Sequence, residues 1–310
     1  MERPDLTINV EQECARIERF IQDQVRSFRR DGVVLALSGG VDTSLTAVMA
    51  VRALGSDKVL GLITPERDSD PESYLDARLI VERLGISSEI HRISGVLSKM
   101  GVYSAVPSPL LATRERQEHY VREFVMRAER ELNRPLLLAG MQGVAAPKVA
   151  AHLAYTRAKN RVRMAYLYFR AEVLNLLVAT STTRSEWLTG LFVKHGDAAG
   201  DVAPISHLYK TQVQQLAEYL QVPDRILAKE PSPGLAPGLL DADLLGMSYE
   251  ALDPVLAMME RGAGNDEVAQ AVRVPVDKVQ FVRDLLGYSE HMRQVPVRLE
   301  PQPAHATVSV

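Results

Sequence analysis

Cysteine is nearly absent from this chain of 310 residues, which has a single one at Cys14. One thiol excludes an intrachain disulfide framework and any cysteine-rich zinc site. Because Cys14 lies in ECARIERFIQDQV, a stretch with helical spacing of apolar residues, we expect it to be a packing residue. The scarcity of cysteine is also typical of a cytoplasmic protein.

The chain also lacks an excess of basic residues, since 36 Lys and Arg stand against 39 Asp and Glu. This balance gives no reason to expect a nucleic-acid surface. No apolar run approaches the length of about 18 residues that a membrane span needs. The first residues, MERPDLTINVEQE, are polar and acidic, so we expect no signal peptide.

Short apolar runs alternate with helical patterns along the first part of the chain. The runs at residues 33–37, 58–64, 87–94 and 174–181 predict four strands, and 43–54, 72–85 and 209–223 have helical spacing. Runs without alternation are typical of parallel strands buried on both faces. The sequence therefore predicts a doubly wound α/β fold with a parallel sheet, which binds its ligands at the carboxyl ends of the strands.

The composition changes at PSPGLAPG, a segment rich in Pro and Gly that begins at residue 231. Helical patterns follow at 248–261, 266–272 and 276–286. We therefore predict an α/β domain at 1–230, a helical extension at 231–295 and a tail at 296–310. Within the first domain, the segment at about 101–150 is divergent, and its helix-like stretch at 122–133 is interpreted as a lid or as part of a dimer face.

The segment that carries the chemistry is VVLALSGGVDTSL, in which a predicted strand ends at Ser38-Gly39-Gly40 and a helix follows. Two glycines let the backbone approach a ligand closely, and the helix amino terminus binds anions. The hydroxyls of Thr43 and Ser44 are suited to phosphate oxygens. This loop is neither a Walker A loop nor a GxGxxG fingerprint.

Asp42 stands at the edge of this anion site, where a carboxylate opposes phosphate unless a Mg²⁺ ion bridges them. Glu186, after the fourth predicted strand, is a candidate second carboxylate for that ion. The alternatives are structural: a tight turn with an N-cap aspartate for the loop, and a carboxylate that complements a helix dipole for Glu186.

The SGGxD loop resembles the PP-loop of the ATP pyrophosphatases, and longer blocks resemble the NAD synthetase family. These blocks are LVATSTTRSEWLTGLFVKHGDAAGDVAPISHLYKTQVQQLAEYLQVP, KEPSPGLAPGLLDADLLGMSYEALDPVL, RVRMAYLYFRAE and EHMRQVP, in the family's order. The resemblance covers about half of the chain. It implies the adenine nucleotide α-hydrolase-like fold and an enzyme that cleaves ATP between its α- and β-phosphates.

The resemblance also implies the site residues. Asp42 and Glu186 match the metal positions, and Asp42, Lys194 and Lys210 are the implied catalytic residues. The ATP-binding positions are Ser38, Gly39, Gly40, Asp42, Thr43, Ser44, Arg163, Lys210 and Ser232. Those near the acyl substrate are Arg161, Lys194 and Asp197. From the residues alone, Lys210 and Ser232 remain open to another interpretation, as solvated surface groups.

The implied reaction has two half-reactions, with Mg²⁺ as cofactor and ATP as co-substrate. A carboxylate, that of nicotinate adenine dinucleotide in this family, is adenylated with release of pyrophosphate, and ammonia then displaces AMP. Only 32 residues precede the first predicted strand, so we expect no built-in glutaminase domain. The nitrogen source is then free ammonia, another amine, or ammonia from a separate glutaminase. The family also implies a homodimer.

The departures from the family lie where the acyl substrate is expected. Thr156-Arg157 replaces a Gly-Asn pair, and Leu239 and Ala242 replace Gln and Glu. Two alternatives follow: a related amide ligase that acts on another carboxylate or amine, and a non-catalytic regulator that binds ATP or AMP. Retention of both Asp42 and Glu186 argues against the regulator, because a sensor needs no catalytic magnesium.

Overall fold

A computed structural model of the protein describes residues 2–105, 113–143 and 146–294. Its strands are β1 (Gly32–Ala36), β2 (Val59–Ile63), β3 (Ser87–Ile90) and β4 (Leu176–Ala179). They form one sheet in the order β3-β2-β1-β4, and every neighbouring pair is parallel. Each strand lies within one of the four predicted apolar runs or within one residue of it.

Helices connect these strands and continue after them. They are α1 (Val10–Ser27), α2 (Val41–Leu54), α3 (Pro71–Leu84), α4 (Ser94–Lys99), α5 (Arg114–Leu132), α6 (Leu136–Gln142), α7 (Pro147–Leu174), α8 (Arg184–Thr189), α9 (Lys210–Tyr219), α10 (Asp224–Leu227), α11 (Asp241–Leu245), α12 (Tyr249–Glu260), α13 (Asn265–Val272) and α14 (Val276–Arg293). Single 3-10 turns occur at Ser56–Lys58 and Val102–Ser104. The stretch predicted at 122–133 is the second half of α5.

Both faces of the sheet are covered by helices. Val33 and Leu35 of β1 face a cluster that contains the apolar sides of α1, α2, α3 and α9, with Cys14 buried in it. Val34, on the opposite face, packs against α7 through Leu167 and Ala171. The alternation along β1 follows from the pleat of a strand, whose successive side chains point to opposite faces. The predicted doubly wound parallel fold is confirmed.

A second hydrophobic cluster is formed by α11 to α14. It also includes Leu138 and Met141 of α6, so part of the divergent segment packs with the helical extension. The boundaries at 230 and 295 stay predictions, and the tail at 296–310 lies outside the described residues. No helix in the described ranges has the length and apolar character that a bilayer span requires.

Candidate active site

The glycine-rich loop joins the carboxyl end of β1 to the first turn of α2. Gly39 has φ +81, and a Cβ at this position would lie 2.2 Å from the carbonyl oxygen of Ser73. Both facts require glycine here. Gly40 is the N-cap of α2 and has no side chain to bond the first N–H groups of the helix. Those donors are therefore available to an anion.

The hydroxyl groups of the loop divide into two roles. The Thr43 Oγ1 donates to the Gly40 carbonyl at 3.1 Å and lies 3.2 Å from the Ser38 Oγ. Ser38, Gly40 and Thr43 line the large cavity at this edge of the sheet. The buried Ser44 Oγ donates to the Gly40 carbonyl at 2.8 Å. Neither Ser44 nor Gly39 lines the cavity, so both act by fixing the shape of the loop.

This cavity, of about 710 Å³, brings together most of the residues predicted for the site. Besides the loop it is lined by the predicted residues Asp42, Arg163, Glu186, Asp197, Lys210 and Ser232. Apart from Gly39 and Ser44 of the loop, two predicted residues, Lys194 and Arg161, lie outside its lining. The Lys194 Nζ donates to the His291 carbonyl at 2.7 Å, and the exposed Arg161 donates to the Lys194 carbonyl at 3.2 Å.

A buried ammonium between carboxylates is the main electrostatic feature of the cavity. The Lys210 Nζ lies 2.5 Å from Asp42 Oδ2 and 3.9 Å from Glu186 Oε1. Burial alone lowers the pKa of Lys210, but Asp42, Glu186 and Asp241 outweigh it and raise that pKa above its usual value. Burial raises the pKa of Glu186. The prediction had not included Asp241, a 2% exposed side chain at the start of α11.

The free oxygens of these carboxylates fit a divalent cation. Glu186 uses Oε2 to accept the backbone N–H and the hydroxyl of Thr183, at 2.7 and 2.9 Å. Its Oε1 lies 3.9 Å from the Lys210 Nζ, and Asp42 Oδ1 is buried with no hydrogen-bond partner among the described residues. Mg²⁺ in proteins is held by one or two carboxylates together with phosphates and water. The donor set therefore fits that ion.

Lys210 is positioned by a contact that the sequence analysis did not foresee. Asp253, a fully buried residue of α12, accepts from the Ser185 hydroxyl at 2.6 Å and from the Thr211 N–H at 2.8 Å. The same Ser185 oxygen accepts the N–H of Lys210 at 2.9 Å. Burial raises the pKa of Asp253 to about 6, so the carboxylate remains the main form at neutral pH. The sequence does contain a signal for this contact, since Asp253 lies in the apolar stretch YEALDPVLAMM. A carboxylate in such a buried stretch rarely lacks a hydrogen-bond or ionic partner.

A second buried ion cluster lies beside the cavity, which Asp68 lines. The Lys159 Nζ of α7 lies 2.8 Å from Asp68 Oδ2 and 3.0 Å from Glu66 Oε1. It also donates to the Leu235 carbonyl at 3.0 Å. One ammonium thus ties α7 to the loop after β2 and to the Pro/Gly-rich segment that begins at residue 231.

The divergent segment supplies the remaining wall. Phe124 of α5 and His152 of α7 stack with ring centroids 3.7 Å apart, and both line the cavity. Leu136 and Leu137 of α6 lie in the same wall. Of the two interpretations of the stretch at 122–133, the contacts of α5 favour a cover over the cavity.

A family profile and the sequences of known proteins point to the same family. The profile of the family described as NAD synthase matches residues 13–118 and 120–296. An NH(3)-dependent NAD(+) synthetase of Coprothermobacter proteolyticus is 38% identical over 291 residues, which are 93% of this chain and 98% of the relative. The enzyme of the same name from Thermotoga maritima is 38% identical over 282 residues, with 91% and 97% covered.

Solved structures agree on the fold. An NMN synthetase from Francisella tularensis has a TM-score of 0.71 at 24% identity and covers 94% of this chain and 99% of its own. An NH3-dependent NAD synthetase from Campylobacter jejuni has a TM-score of 0.68 at 22% identity, with 94% and 100% covered.

The hydrogen bonds by which Asp253 and Ser185 position Lys210 lead to a prediction. We expect Asp253→Asn to lower the rate of pyrophosphate release from ATP about tenfold, because a loss of about 1.4 kcal/mol is typical of one hydrogen bond to a charged group. The Asp253 carboxylate accepts from Ser185 and Thr211 with its two oxygens, whereas the amide of asparagine has only one oxygen to accept a hydrogen bond. Ser185→Ala is expected to reduce the rate similarly.

The control for this prediction is Asp277→Asn, an exposed acid of α14 in the same helical extension, which is expected to keep the wild-type rate. Steady-state pyrophosphate release measures all three variants. Full activity of Asp253→Asn would contradict the positioning role.

Proposed function

This chain belongs to the NAD synthase family, and from that membership we propose that it forms NAD from nicotinate adenine dinucleotide, ammonia and ATP, with release of AMP and pyrophosphate. The observation that carries the proposal is the convergence of the glycine-rich loop, Asp42, Glu186 and Lys210 on one cavity. The match over 98% of an ammonia-dependent relative supports ammonia as the nitrogen source. Cytoplasmic location is part of the proposal.

In the first half-reaction, the phosphates of ATP bind to the loop after β1. The first N–H groups of α2 and the hydroxyls of Ser38 and Thr43 donate to phosphate oxygens. Lys210 neutralises charge on the departing pyrophosphate, since its ammonium stays protonated. Arg163, which lines the cavity beside the end of β2, contacts ATP, and Ser232 contacts a phosphate from the rim. Gly39 and Ser44 support the loop.

Asp42 and Glu186 are the proposed holders of Mg²⁺. Bound there, the ion would polarise the phosphoryl oxygens and offset charge as the bond between the α- and β-phosphates breaks. The two carboxylates come from the first turns of α2 and α8, so their separation is set by two helices rather than by flexible loops. Lys210 lies between them and balances their charge in the substrate-free protein.

In the second half-reaction, ammonia attacks the acyl carbon of the adenylate and AMP leaves with one oxygen of the original carboxylate. Asp197, whose Oδ1 accepts the Val193 N–H at 2.8 Å, is proposed to face the reacting centre. Lys194 and Arg161 lie outside the cavity of one chain. Their proposed contact with the acyl substrate therefore fits a site that a second subunit completes.

A homodimer is accordingly part of the proposal. Phe169 and Val173 of α7 are 57% and 58% exposed and stand one helical turn apart on the same side. Large apolar side chains exposed together on one helix favour burial against another surface.

The residues that differ from the family pattern around the acyl substrate favour a second candidate function. In it, the chain is a ligase of this family that uses another carboxylic acid as its substrate. Leu239 lines the cavity where the family has a polar Gln. The regulator without catalysis is disfavoured by the retained pair of Asp42 and Glu186.

One assay separates these functions. The protein is incubated with ATP, Mg²⁺, ammonia and nicotinate adenine dinucleotide, and NAD, AMP and pyrophosphate are quantified. Equal amounts of all three products support the proposal. Pyrophosphate release only with a different acid favours the second candidate, and no ATP cleavage with any acid would refute both.

The metal role of Asp42 makes a sharper prediction. We expect Asp42→Asn to lower kcat at least about a thousandfold, because a metal supplies several kcal/mol of transition-state stabilisation. The matched control is Asp23→Asn, which removes an exposed acid paired with Arg26 on α1 and should leave kcat unchanged. Circular dichroism checks that both variants fold. Wild-type turnover of Asp42→Asn would rule out the assignment.

The dimer proposal is tested by light scattering coupled to size exclusion. We expect the wild type at twice 34.3 kDa and the double variant Phe169→Glu/Val173→Glu at the monomer mass, because two charges oppose burial of that surface. Phe28→Glu, at a residue that is 52% exposed after α1, is the control and should remain dimeric. A monomeric wild type would exclude the homodimer.

A further inference from the structure

Arg157 of α7 is a cation that lines the cavity and has no acidic partner in the part of the chain that the structure describes. The side chain is half-buried and its Nη2 donates to the Gly140 carbonyl at 3.3 Å, a long contact. Within residues 2–105, 113–143 and 146–294 it forms no ion pair with a carboxylate, and the charged group that affects its pKa is another cation, Arg161. Burial, followed by Arg161, lowers the pKa of Arg157.

The other buried cations around the cavity have acids close to them. Lys159 contacts two carboxylates and Lys210 contacts Asp42. Arg163 forms no ion pair among the described residues, but Glu66 and Asp197 lie near enough to oppose the lowering of its pKa by burial. Arg157 thus stands apart, because a charge withdrawn from water without a counter-charge destabilises the folded protein. An unpaired buried cation is tolerated where a bound ligand supplies the missing negative charge. Ionisable groups in a cleft whose pKa is shifted are therefore candidates for a functional role.

The position of Arg157 separates it from the ATP half of the site. Arg163, on the same helix, reaches the Thr64 carbonyl at the end of β2. Arg157 precedes it by six residues, which is about 9 Å along the helix axis at 1.5 Å per residue. It faces α6 rather than the phosphate-binding loop, since its Nη2 and the Leu153 side chain both lie beside Gly140.

The neighbouring glycine keeps room for this guanidinium. A Cβ at Gly140 would lie 3.0 Å from the Arg157 Nη2, so a larger residue in α6 would displace the group. The pair Thr156-Arg157 also stands where the family pattern has Gly-Asn. This chain therefore places a permanent positive charge at a position that is neutral in that pattern.

We propose that Arg157 binds an oxyanion of the acid substrate, either its carboxylate or one of its phosphates, in the compartment between α6 and α7. The planar fork of arginine suits both groups, since each accepts two parallel N–H···O bonds. This inference rests on the proposed function, because it assumes a carboxylic acid nucleotide as the second substrate.

The test compares Arg157→Met with Arg170→Met, a control on the same helix. Arg170 is also half-buried but is paired with Glu89 at 2.6 and 2.8 Å and does not line the cavity. We expect Arg157→Met to weaken binding of nicotinate adenine dinucleotide at least tenfold, with the KM for ATP within twofold of wild type. Arg170→Met should leave both constants unchanged. Wild-type affinity of Arg157→Met for the acid would overturn the inference.

Titration with NAD identifies the oxyanion, because NAD keeps the phosphates of the acid but has an amide in place of its carboxylate. If Arg157 binds the carboxylate, its loss weakens binding of the acid only. If it binds a phosphate, its loss weakens binding of the acid and of NAD by the same factor.

Thermal unfolding without substrate separates binding from a structural role. Removal of an uncompensated charge should leave the Tm of Arg157→Met unchanged or higher. If the Tm falls, the variant Arg157→Lys is measured, because it keeps the positive charge. An affinity of Arg157→Lys for the acid between those of wild type and Arg157→Met supports the inference. An affinity as weak as that of Arg157→Met overturns it.

Failure of the proposed function gives a different result. If the wild type forms no NAD from nicotinate adenine dinucleotide, the same variants are titrated with nicotinate mononucleotide, a smaller acid. If Arg157→Met binds this acid more weakly than wild type and Arg170→Met does not, the proposed role of Arg157 is still supported. Absence of binding of either acid by the wild type would overturn it together with the proposed function.

Discussion

The burial of one ammonium between carboxylates at the carboxyl end of the sheet is the constraint on which the site depends. Lys210, Asp42 and Glu186 occupy the first turns of α9, α2 and α8. These turns meet because β1 and β4 are neighbours in the sheet and α9 packs against α2. Helix amino termini attract anions, so their convergence favours the binding of an anion, and the two carboxylates favour a cation near them.

The helical extension is part of this site rather than an appendage. α12 packs against α8 and α9, and Asp253 fixes the first residues of α9 through Ser185 and Thr211. Asp241, at the start of α11, accepts from the Tyr249 hydroxyl at 2.7 Å and adds negative charge near Lys210. The position of the Lys210 ammonium is therefore coupled to the packing of the second hydrophobic cluster.

The strands and the phosphate-binding loop were predictable from the sequence because their signals are local. Apolar runs without alternation identify buried parallel strands, and glycines before a helix identify the turn. Asp253 and Asp241 were not predicted, and Arg157 was noted only as a departure from the family pattern, since the surroundings of each depend on contacts between elements far apart in the chain. Arg157 meets Gly140 only when α6 folds back on α7, and no periodicity in either helix encodes that contact.

In the proposed reaction, the acid's own oxygen attacks the α-phosphorus of ATP, and ammonia then displaces AMP from the acyl adenylate. Turnover of nicotinate adenine dinucleotide labelled with oxygen-18 in its carboxylate, followed by mass spectrometry of the products, tests this directly. The account predicts one labelled oxygen in AMP and none in pyrophosphate. Unlabelled AMP, or label in an inorganic phosphate product, would contradict it.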